Sequence, residues 1–505
     1  MNQAKDTAAR TVSKVFIAVM LSAYLLCVPE DGYLSIGDFK YTVFLALTCA
    51  YSAAMLVICV SSKVKAKSAL SCGYITDPAV IAAAVYVLFT SISAITSEYG
   101  VAAFSGGTRH DGFATAALYA LMFLLLYRYA RAEKWMIYLF GASMTVFCVI
   151  CLWQFAGGNP LGLFPEDCSY YDANVRFAGE YVGTAGNAEL SAAVLCMAVP
   201  AFIAGVSRLK DKAGRLLLIP LMLSVYVLRT LGQDAGSIAL AAAPVLVLPA
   251  AVRDKRSLAG YMLSCGCVCA AMSVWASVRW FVSGAEIVIT VRSWIYLAVG
   301  AILFAFAAVT SKRGDGSISR KRVCTLSLVL LVLLLASVLI YISNYSGEEY
   351  GTVYEASEII HGRWDDSYGG GRIYIWRSTL ELFRERPLFG GGPDTLALRG
   401  ITPYKWYSEA SGAVRQSAVT AAHCEYLNVL VNQGVLALAA YLSFLGVQIY
   451  RWYLGKESTG ADICGGAAAC YCVQAMFGIS MCASTAFLWM ALALVKKDDD
   501  MEKTL

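Results

Sequence analysis

Long blocks of hydrophobic residues alternate along this chain with short polar segments, which hold most of the charged side chains. The blocks are roughly 17 to 25 residues long, the length that an α-helix needs to cross a bilayer. The predicted spans lie near residues 14–28, 41–60, 78–95, 113–127, 135–155, 188–206, 215–231, 236–251, 258–278, 286–309, 323–342, 423–449, 463–478 and 481–495. The pattern predicts an all-α, polytopic transmembrane helical bundle of about 14 spans, within a range of 12 to 14.

The last two spans belong to one apolar run, residues 463–495, so thirteen spans is the alternative count. A run of that length forms a single span only if it is strongly tilted. Gly478 lies where a break between two helices is expected, which favours fourteen.

Composition supports a membrane protein, because 59% of the residues are hydrophobic and only 15% are charged, against about 25% charged residues in soluble domains. The net charge of +5 comes from basic residues spread over short loops, so we expect no nucleic-acid partner. Many of the 17 cysteines lie in apolar segments, where a thiol is usually a small buried group. We expect no disulfide framework and no metal site, since no pair of Cys-x-x-Cys motifs flanks a histidine at metal-site spacing.

Basic residues are concentrated in alternate loops, at 63–67, 128–134, 208–215, 253–256 and 312–322. Loops rich in Lys and Arg face the cytoplasm in multi-pass proteins. This distribution predicts that the N-terminus and the C-terminus are both cytoplasmic.

The same reasoning divides the chain into three parts. Residues 1–342 form a transmembrane bundle of about 11 spans, 343–422 form a large extracytoplasmic loop with an amphipathic helix, and 423–505 form C-terminal spans and a short cytoplasmic tail. The amphipathic helix is predicted within 371–396 and ends at Pro387 and a glycine turn. A loop of roughly 80 residues is too long for a simple connection and is usually functional.

The large outer loop is rich in arginine. It contains Arg363, Arg372, Arg377, Arg384, Arg386, Arg399 and Arg415. The guanidinium group matches phosphate geometry and keeps its charge in a poorly solvated site. The set indicates an anionic partner at the outer membrane surface; pairing of individual arginines with lipid headgroups or with nearby glutamates is the alternative.

His423 is one of three histidines in the chain and stands where the outer loop meets a span. Imidazole titrates near neutral pH, so His423 is a candidate general base or proton donor, with an interfacial helix cap as the alternative. Glu425 points to a different helix face and is not expected to orient it. We expect His110 and His361 to be solvent-exposed loop residues.

Two segments, GRIYIWRSTLELFRERPLFGGGPDTL (371–396) and AHCEYLNVLVNQGVLALAAYL (422–442), resemble the signature region of the O-antigen ligase and polysaccharide polymerase superfamily. The matching residues are Arg372, Trp376, 387–390, Gly392, His423 and Gly434. Segments 106–126 and 175–195 resemble further parts of the family pattern. The chain departs from it at Cys424, where the family has Asn or Ser, and at 231–240, which lacks a family arginine that Arg229 can replace.

The resemblance implies a GT-C-like glycosyltransferase in the bacterial inner (plasma) membrane. Such an enzyme moves a glycan from a polyprenyl-pyrophosphate carrier to a hydroxyl of a glycan or lipid acceptor on the outer face. Its partners are this lipid-linked donor, the acceptor and membrane lipid, with no cofactor and no metal. The leaving pyrophosphate is already a stable anion, so arginines and one base can supply the catalysis.

The resemblance assigns two catalytic residues, His423 as the base and Arg372 on the donor pyrophosphate. The expected substrate-binding residues are Arg176, Arg377, Arg363, Arg229, Gly390 and Gly392. Two other functions stay open. A lipid or polysaccharide transporter (flippase) should show inverted repeats, and the sequence shows no convincing internal repeat. An inactive scaffold of the same family is the other alternative, because of the departures at Cys424 and 231–240.

Overall fold

The computed structural model describes residues 2–60, 72–172, 179–209, 211–281, 284–312, 316–408, 413–455 and 458–495. Within these ranges the α-helices, numbered in chain order, are α1 Asn2–Val19, α2 Ile36–Val60, α3 Cys72–Ile75, α4 Pro78–Ile95, α5 Val101–Ser105, α6 Phe113–Tyr129, α7 Lys134–Phe155, α8 Ala188–Arg208, α9 Leu218–Thr230, α10 Asp234–Ala251, α11 Lys255–Ser277, α12 Val291–Ser311, α13 Arg320–Ser343, α14 Thr352–Ile360, α15 Tyr368–Glu385, α16 Glu425–Leu454, α17 Thr459–Gln474 and α18 Cys482–Leu494. Three antiparallel strand pairs join them: β1 Tyr181–Val182 with β2 Gly186–Asn187, β3 Val278–Phe281 with β4 Gly284–Ile287, and β5 Tyr404–Ser408 with β6 Ala413–Ser417.

Ten helices among the described residues are long and apolar enough to cross a membrane. They are α2, α4, α7, α8, Ala213–Thr230 (α9 with the 3-10 turn before it), α10, α11, α12, α13 and α16. The shorter apolar helices α6 and α18 occupy two more predicted spans, and α1 and α17 occupy the remaining two. The prediction of a polytopic helical membrane protein is confirmed.

The C-terminal apolar run is broken where the glycine indicated. Helix α17 ends at Gln474 and α18 begins at Cys482, with Gly478 between them. A Cβ atom on Gly478 would lie 2.3 Å from the end of the Gln474 side chain, which would have to move to admit a larger residue. The carbonyl of Ala475 just after α17 accepts a hydrogen bond of 2.9 Å from the Glu425 amide at the start of α16.

Helix α8 is the centre of the bundle. Every residue from Ala188 to Ser207 is buried, and α9, α10, α11 and α17 pack against it. A helix that is apolar on all sides is expected in such a core position. By contrast, α12 and α13 leave most of their apolar side chains exposed, which places them at the periphery of the bundle.

The segment between α13 and α16, residues 344–424, is attached to the bundle by two interlocking backbone breaks. Gly434 interrupts α16 with φ +84°, and a Cβ there would lie 2.2 Å from the carbonyl oxygen of Leu388. Across this break the Val435 amide donates to the Pro387 carbonyl at 2.9 Å, and the Gly392 amide donates to the Asn432 carbonyl at 2.8 Å. The glycine turn at 390–392 therefore packs directly against the helix that follows His423.

Helix α15 is the predicted amphipathic helix, and it ends at Glu385, before Pro387 as expected. At its start, Gly369, Gly370 and Gly371 all have positive φ values, between 66° and 85°. Only glycine adopts that conformation at little cost. The regular helix consequently starts at Arg372, which places this arginine in its first turn.

Candidate active site

Three charged or titratable side chains from distant parts of the sequence meet at one end of the bundle. The Glu189 carboxylate lies 3.0 Å from His423 Nδ1 and 3.0 Å from Arg372 Nη2. Glu189 lies in the first turn of α8 and Arg372 in the first regular turn of α15. His423 lies two residues before the start of α16. The carboxylate is shared between two cationic or potentially cationic groups.

The backbone around each residue holds these side chains in place. Asn187 caps α8, and its side-chain oxygen accepts a hydrogen bond from the Glu189 amide at 2.6 Å. A carboxylate in the first turn is also stabilised by the helix dipole. The Trp376 indole donates to the Ala422 carbonyl at 2.9 Å, which ties α15 to the residue before His423. His423 itself has φ +47°, an unfavourable value for a residue other than glycine.

The contact with Glu189 determines what the imidazole can do. A carboxylate only accepts hydrogen bonds, so Nδ1 of His423 carries a proton, and in the neutral imidazole Nε2 then keeps its lone pair. Among the described residues Nε2 has no hydrogen-bond partner, and the His423 side chain is 30% exposed, whereas the Glu189 side chain is 10% exposed. This arrangement gives a base that is accessible on one side and oriented by a buried carboxylate on the other.

Arg109 adds a second guanidinium group to the site. It lies within electrostatic range of Glu189, and its Nη2 donates to the Thr420 hydroxyl at 2.9 Å. Its loop is held by Asp394, whose carboxylate accepts hydrogen bonds from the amides of Thr108 at 3.1 Å and Arg109 at 2.9 Å. Asp394 also has a positive φ, 53°.

Asp111 ends the same loop and accepts a hydrogen bond from the Ser480 hydroxyl at 2.6 Å. Burial raises the pKa of Asp111 to about 7, and the charge of Asp394 acts in the same direction. The protonated and ionised forms of this carboxyl are therefore both populated near neutral pH.

A cavity of about 400 Å³ is lined by Arg109, Thr420 and Asn187, the residue that caps α8, and also by Tyr33, Tyr181 and Asp38. Glu189, Arg372 and His423 are not among its lining residues. Ligand sites commonly have volumes of about 300 to 1,000 Å³ and combine aromatic walls with a few polar groups. The cavity has the size and lining of a small-ligand or sugar site.

The other predicted arginines lie apart from this site. Arg363 forms a bidentate pair with Glu358 at 2.5 Å, and Arg377 pairs with Asp366 at 2.5 Å; the side chains of both arginines are exposed. Arg176 lies outside the described residues.

Arg229 occupies a different position, at the end of α9. Its guanidinium carbon lies 4.2 Å from the ring centroid of Trp275, and its Nη1 donates to Ser237. Gly390 and Gly392 form the turn against α16, where a Cβ on Gly390 would lie 2.4 Å from the Asn432 backbone.

The remaining histidines contact other residues. His110 is partly buried, stacks on Tyr41 with ring centroids 4.3 Å apart, and bonds to Asp38 at 2.7 Å. His361 is exposed at the end of α14. Within the described ranges, no group of three His, Cys, Asp or Glu side chains is arranged to hold a metal ion.

Sequence reasoning missed Glu189 and Arg109. Glu189 stands 234 positions from His423, so no local pattern joins them. One signal was available: Glu189 is a lone carboxylate at the entry to a fully apolar helix, and ionisable residues in spans are usually functional.

Comparison with known proteins adds one match. Residues 284–442 match the family model described as O-antigen ligase. This range contains α12, α13, the segment between α13 and α16, and the first half of α16. It therefore includes both Arg372 and His423, but not Glu189 or Arg109. No curated protein matches the chain.

Proposed function

We propose a specific reaction for this chain. The match of residues 284–442 to the O-antigen ligase model supports membership of the O-antigen ligase and polysaccharide polymerase superfamily. The protein is a membrane enzyme of the ligase or polymerase type that acts on glycans. The proposed reaction is transfer of a glycan from a polyprenyl-pyrophosphate carrier to an acceptor hydroxyl at the outer face of the bacterial inner membrane. The observation that carries the proposal is the convergence of Glu189, Arg372 and His423.

In this reaction the acceptor hydroxyl donates its proton to Nε2 of His423. The acceptor oxygen then bonds to the anomeric carbon of the donor sugar, and the bond from that carbon to the pyrophosphate oxygen breaks. The proton remains on His423, where the Glu189 carboxylate stabilises the imidazolium ion, as a buried aspartate does in hydrolase triads. Polyprenyl pyrophosphate leaves as an anion.

Arg372 and Arg109 are the groups that stabilise the negative charge on the leaving pyrophosphate. Arg372 donates from Nη1 to the Gly369 carbonyl at 2.8 Å and from Nη2 to Glu189. Its buried Nε has no hydrogen-bond partner among the described residues, and neither has Nε of Arg109. A guanidinium group has five N–H donors, so both arginines keep donors for phosphate oxygens. Fixed donors of this kind stabilise developing charge without reorganising.

The test uses purified protein in phospholipid nanodiscs with a polyprenyl-pyrophosphate-linked glycan and an acceptor. Released carrier and glycosylated acceptor are both measured. We expect His423→Ala and Arg372→Ala each to lower turnover by roughly 100-fold or more, the usual scale for a lost general base or charge-stabilising donor. The matched controls are His361→Ala and Arg384→Ala, which change the same residue types in the segment between α13 and α16, away from the site.

Near-normal transfer by both His423→Ala and Arg372→Ala would overturn the proposed roles. In sealed proteoliposomes, movement of intact donor across the bilayer without release of carrier would instead identify a transporter. Failure of the wild-type protein to release carrier from any polyprenyl-pyrophosphate glycan, with the donor bound, would identify an inactive family member.

A further inference from the structure

A second cluster of arginines surrounds one carboxylate at the other end of α8, about 30 Å from Glu189 at 1.5 Å of rise per residue. Asp462, in the first turn of α17, is completely buried. Arg253, between α10 and α11, donates from Nη2 to both Asp462 oxygens at 2.9 and 3.2 Å. Arg208, the last residue of α8, places Nη2 3.3 Å from the same carboxylate. We call these residues, with Arg320, the arginine cluster.

Arg320, the first residue of α13, completes the cluster. Its Nη2 donates to the carbonyls of Trp452 and Tyr453, both at 2.9 Å, at the C-terminal end of α16. It also lies within electrostatic range of Asp462 and Arg253. Three segments that are distant in sequence thus bring three guanidinium groups together around Asp462, which belongs to a fourth.

The arginine cluster has more buried N–H donors than hydrogen-bond acceptors among the described residues. Nε of Arg208 and Nε of Arg320 are both buried, and neither has a hydrogen-bond partner among the described residues. The second carboxylate within electrostatic range of Arg208, Asp254, already caps α11 by accepting from the Ser257 amide at 2.7 Å. Helix C-termini supply only a partial negative charge. Poorly solvated cations without full compensation are costly and call for a further anion.

We propose that the arginine cluster binds a phosphate group, carried by an anionic phospholipid headgroup or as free phosphate. The side chains of Arg208 and Arg253 are 16% and 17% exposed, so the arginine cluster is mostly buried but remains partly accessible to a ligand. Planar guanidinium groups match phosphate oxygens in pairs. Basic pockets between spans at the membrane boundary are the places where anionic headgroups bind. Nothing in the proposed transfer reaction requires this site, which lies at the opposite end of the bundle.

The experiment compares nanodiscs of phosphatidylcholine alone, of phosphatidylcholine with phosphatidylglycerol, and of phosphatidylcholine with inorganic phosphate added to the buffer. Apparent Tm is read from each, and native mass spectrometry counts the phospholipids that stay bound. We expect phosphatidylglycerol to raise the apparent Tm by a few degrees through preferential binding to the folded state. A rise with inorganic phosphate alone identifies free phosphate as the ligand.

Arg253→Gln should remove this gain and reduce anion affinity on the order of tenfold, the scale of one charged hydrogen bond. Arg253→Lys keeps the charge without the planar fork and should bind with intermediate affinity, which guards against a variant that fails to fold. Arg322→Gln is the matched control, because Arg322 is exposed on α13, two residues after Arg320 and on a different side of the helix. It should keep the full gain.

Asp462→Asn should change the anion-dependent gain in apparent Tm in the opposite direction to Arg253→Gln. Without its carboxylate the cluster is less stable in phosphatidylcholine but should gain more from the anion than wild type does. If the cluster only holds the helices together, Asp462→Asn is destabilised and neither anion restores it. That result, or an equal effect of phosphatidylglycerol on wild type and Arg253→Gln, would refute the proposal.

Discussion

Replacement of Glu189 by glutamine tests how the candidate active site works. The side chain keeps its size and position in the first turn of α8 but loses its charge. The amide N–H group of glutamine can donate to Nδ1 of His423, which favours the tautomer with the proton on Nε2. That tautomer cannot accept the proton of an acceptor hydroxyl, so a correctly folded protein should be nearly inactive.

The magnitude follows from the two contacts of the carboxylate. Hydrogen bonds to charged groups contribute about 1.5 to 3 kcal/mol each, and Glu189 lies 3.0 Å from both His423 and Arg372. Loss of both contacts in the transition state amounts to roughly 3 to 6 kcal/mol. At about 1.4 kcal/mol per factor of ten, kcat should fall between roughly 100-fold and roughly 20,000-fold.

The assay is carrier release by purified protein in nanodiscs, with kcat and KM measured separately. Glu189 acts through His423 and does not touch the acceptor, so most of the loss should appear in kcat. The double variant Glu189→Gln/His423→Ala should lose much less than the product of the two single losses, beyond His423→Ala only the part carried by the Arg372 contact, because residues that act as a unit are not additive.

Glu425→Gln is the matched control. Glu425 is a second buried glutamate, two residues after His423, and it accepts hydrogen bonds from Tyr441 at 2.5 Å and Tyr471 at 2.9 Å. Its replacement should lower thermal stability and leave kcat per folded molecule within a few-fold of wild type. Additive losses in the double variant, or an equal kcat loss in Glu425→Gln, would refute the reasoning about Glu189.

Three further predictions follow from the same geometry. Arg372→Lys keeps a charge but cannot bridge Glu189 and a phosphate with one planar group, so we expect donor turnover at least tenfold below wild type at normal expression. Gly434→Ala forces a left-handed residue against the Leu388 carbonyl and should lower the apparent Tm and activity together, at a cost of about 1 to 3 kcal/mol. Asp111 has a raised pKa of about 7, so the folded state binds more protons than the unfolded state between about pH 4 and 7, and stability should fall as pH rises through that range. Asp111→Asn should flatten this dependence in thermal melts recorded from pH 5 to 8.

Each of these expectations has a contrary outcome. Full activity in Arg372→Lys would show that only charge matters at that position. An unchanged melting temperature in Gly434→Ala would show that the two interlocking breaks are independent. An Asp111→Asn protein with the same pH slope as wild type would place the titrating group elsewhere.

The membrane architecture was predictable from sequence because each span carries its own signal. A helix that crosses a bilayer must satisfy its backbone internally and cover it with apolar side chains, so length and hydropathy suffice for α7 or α13. The end of α15 before Pro387 was also readable from sequence, since proline acts through its own backbone geometry.

The candidate active site was only partly predictable from sequence, because the pairing of its charged side chains depends on the tertiary fold. Arg363, Arg377 and Arg372 look equivalent along the sequence. In the structure Arg363 pairs with Glu358, five residues away, whereas Arg372 reaches Glu189, 183 residues away. Local partners such as Glu358 can be anticipated by inspection. A partner on a buried central helix can be found only when the packing of that helix is known.

His423 and Asp394 both occupy the left-handed region of backbone conformation, with φ values of 47° and 53°. Such residues cost on the order of 1 to 3 kcal/mol each and persist only while the surrounding packing holds them. Local unfolding starts where stability is lowest, so on heating the backbone around His423 and Asp394 should lose its structure before the helices melt. The order of events on heating is then fixed: carrier release should fail at a lower temperature than the helical circular dichroism signal, and cooling before the helices melt should restore it.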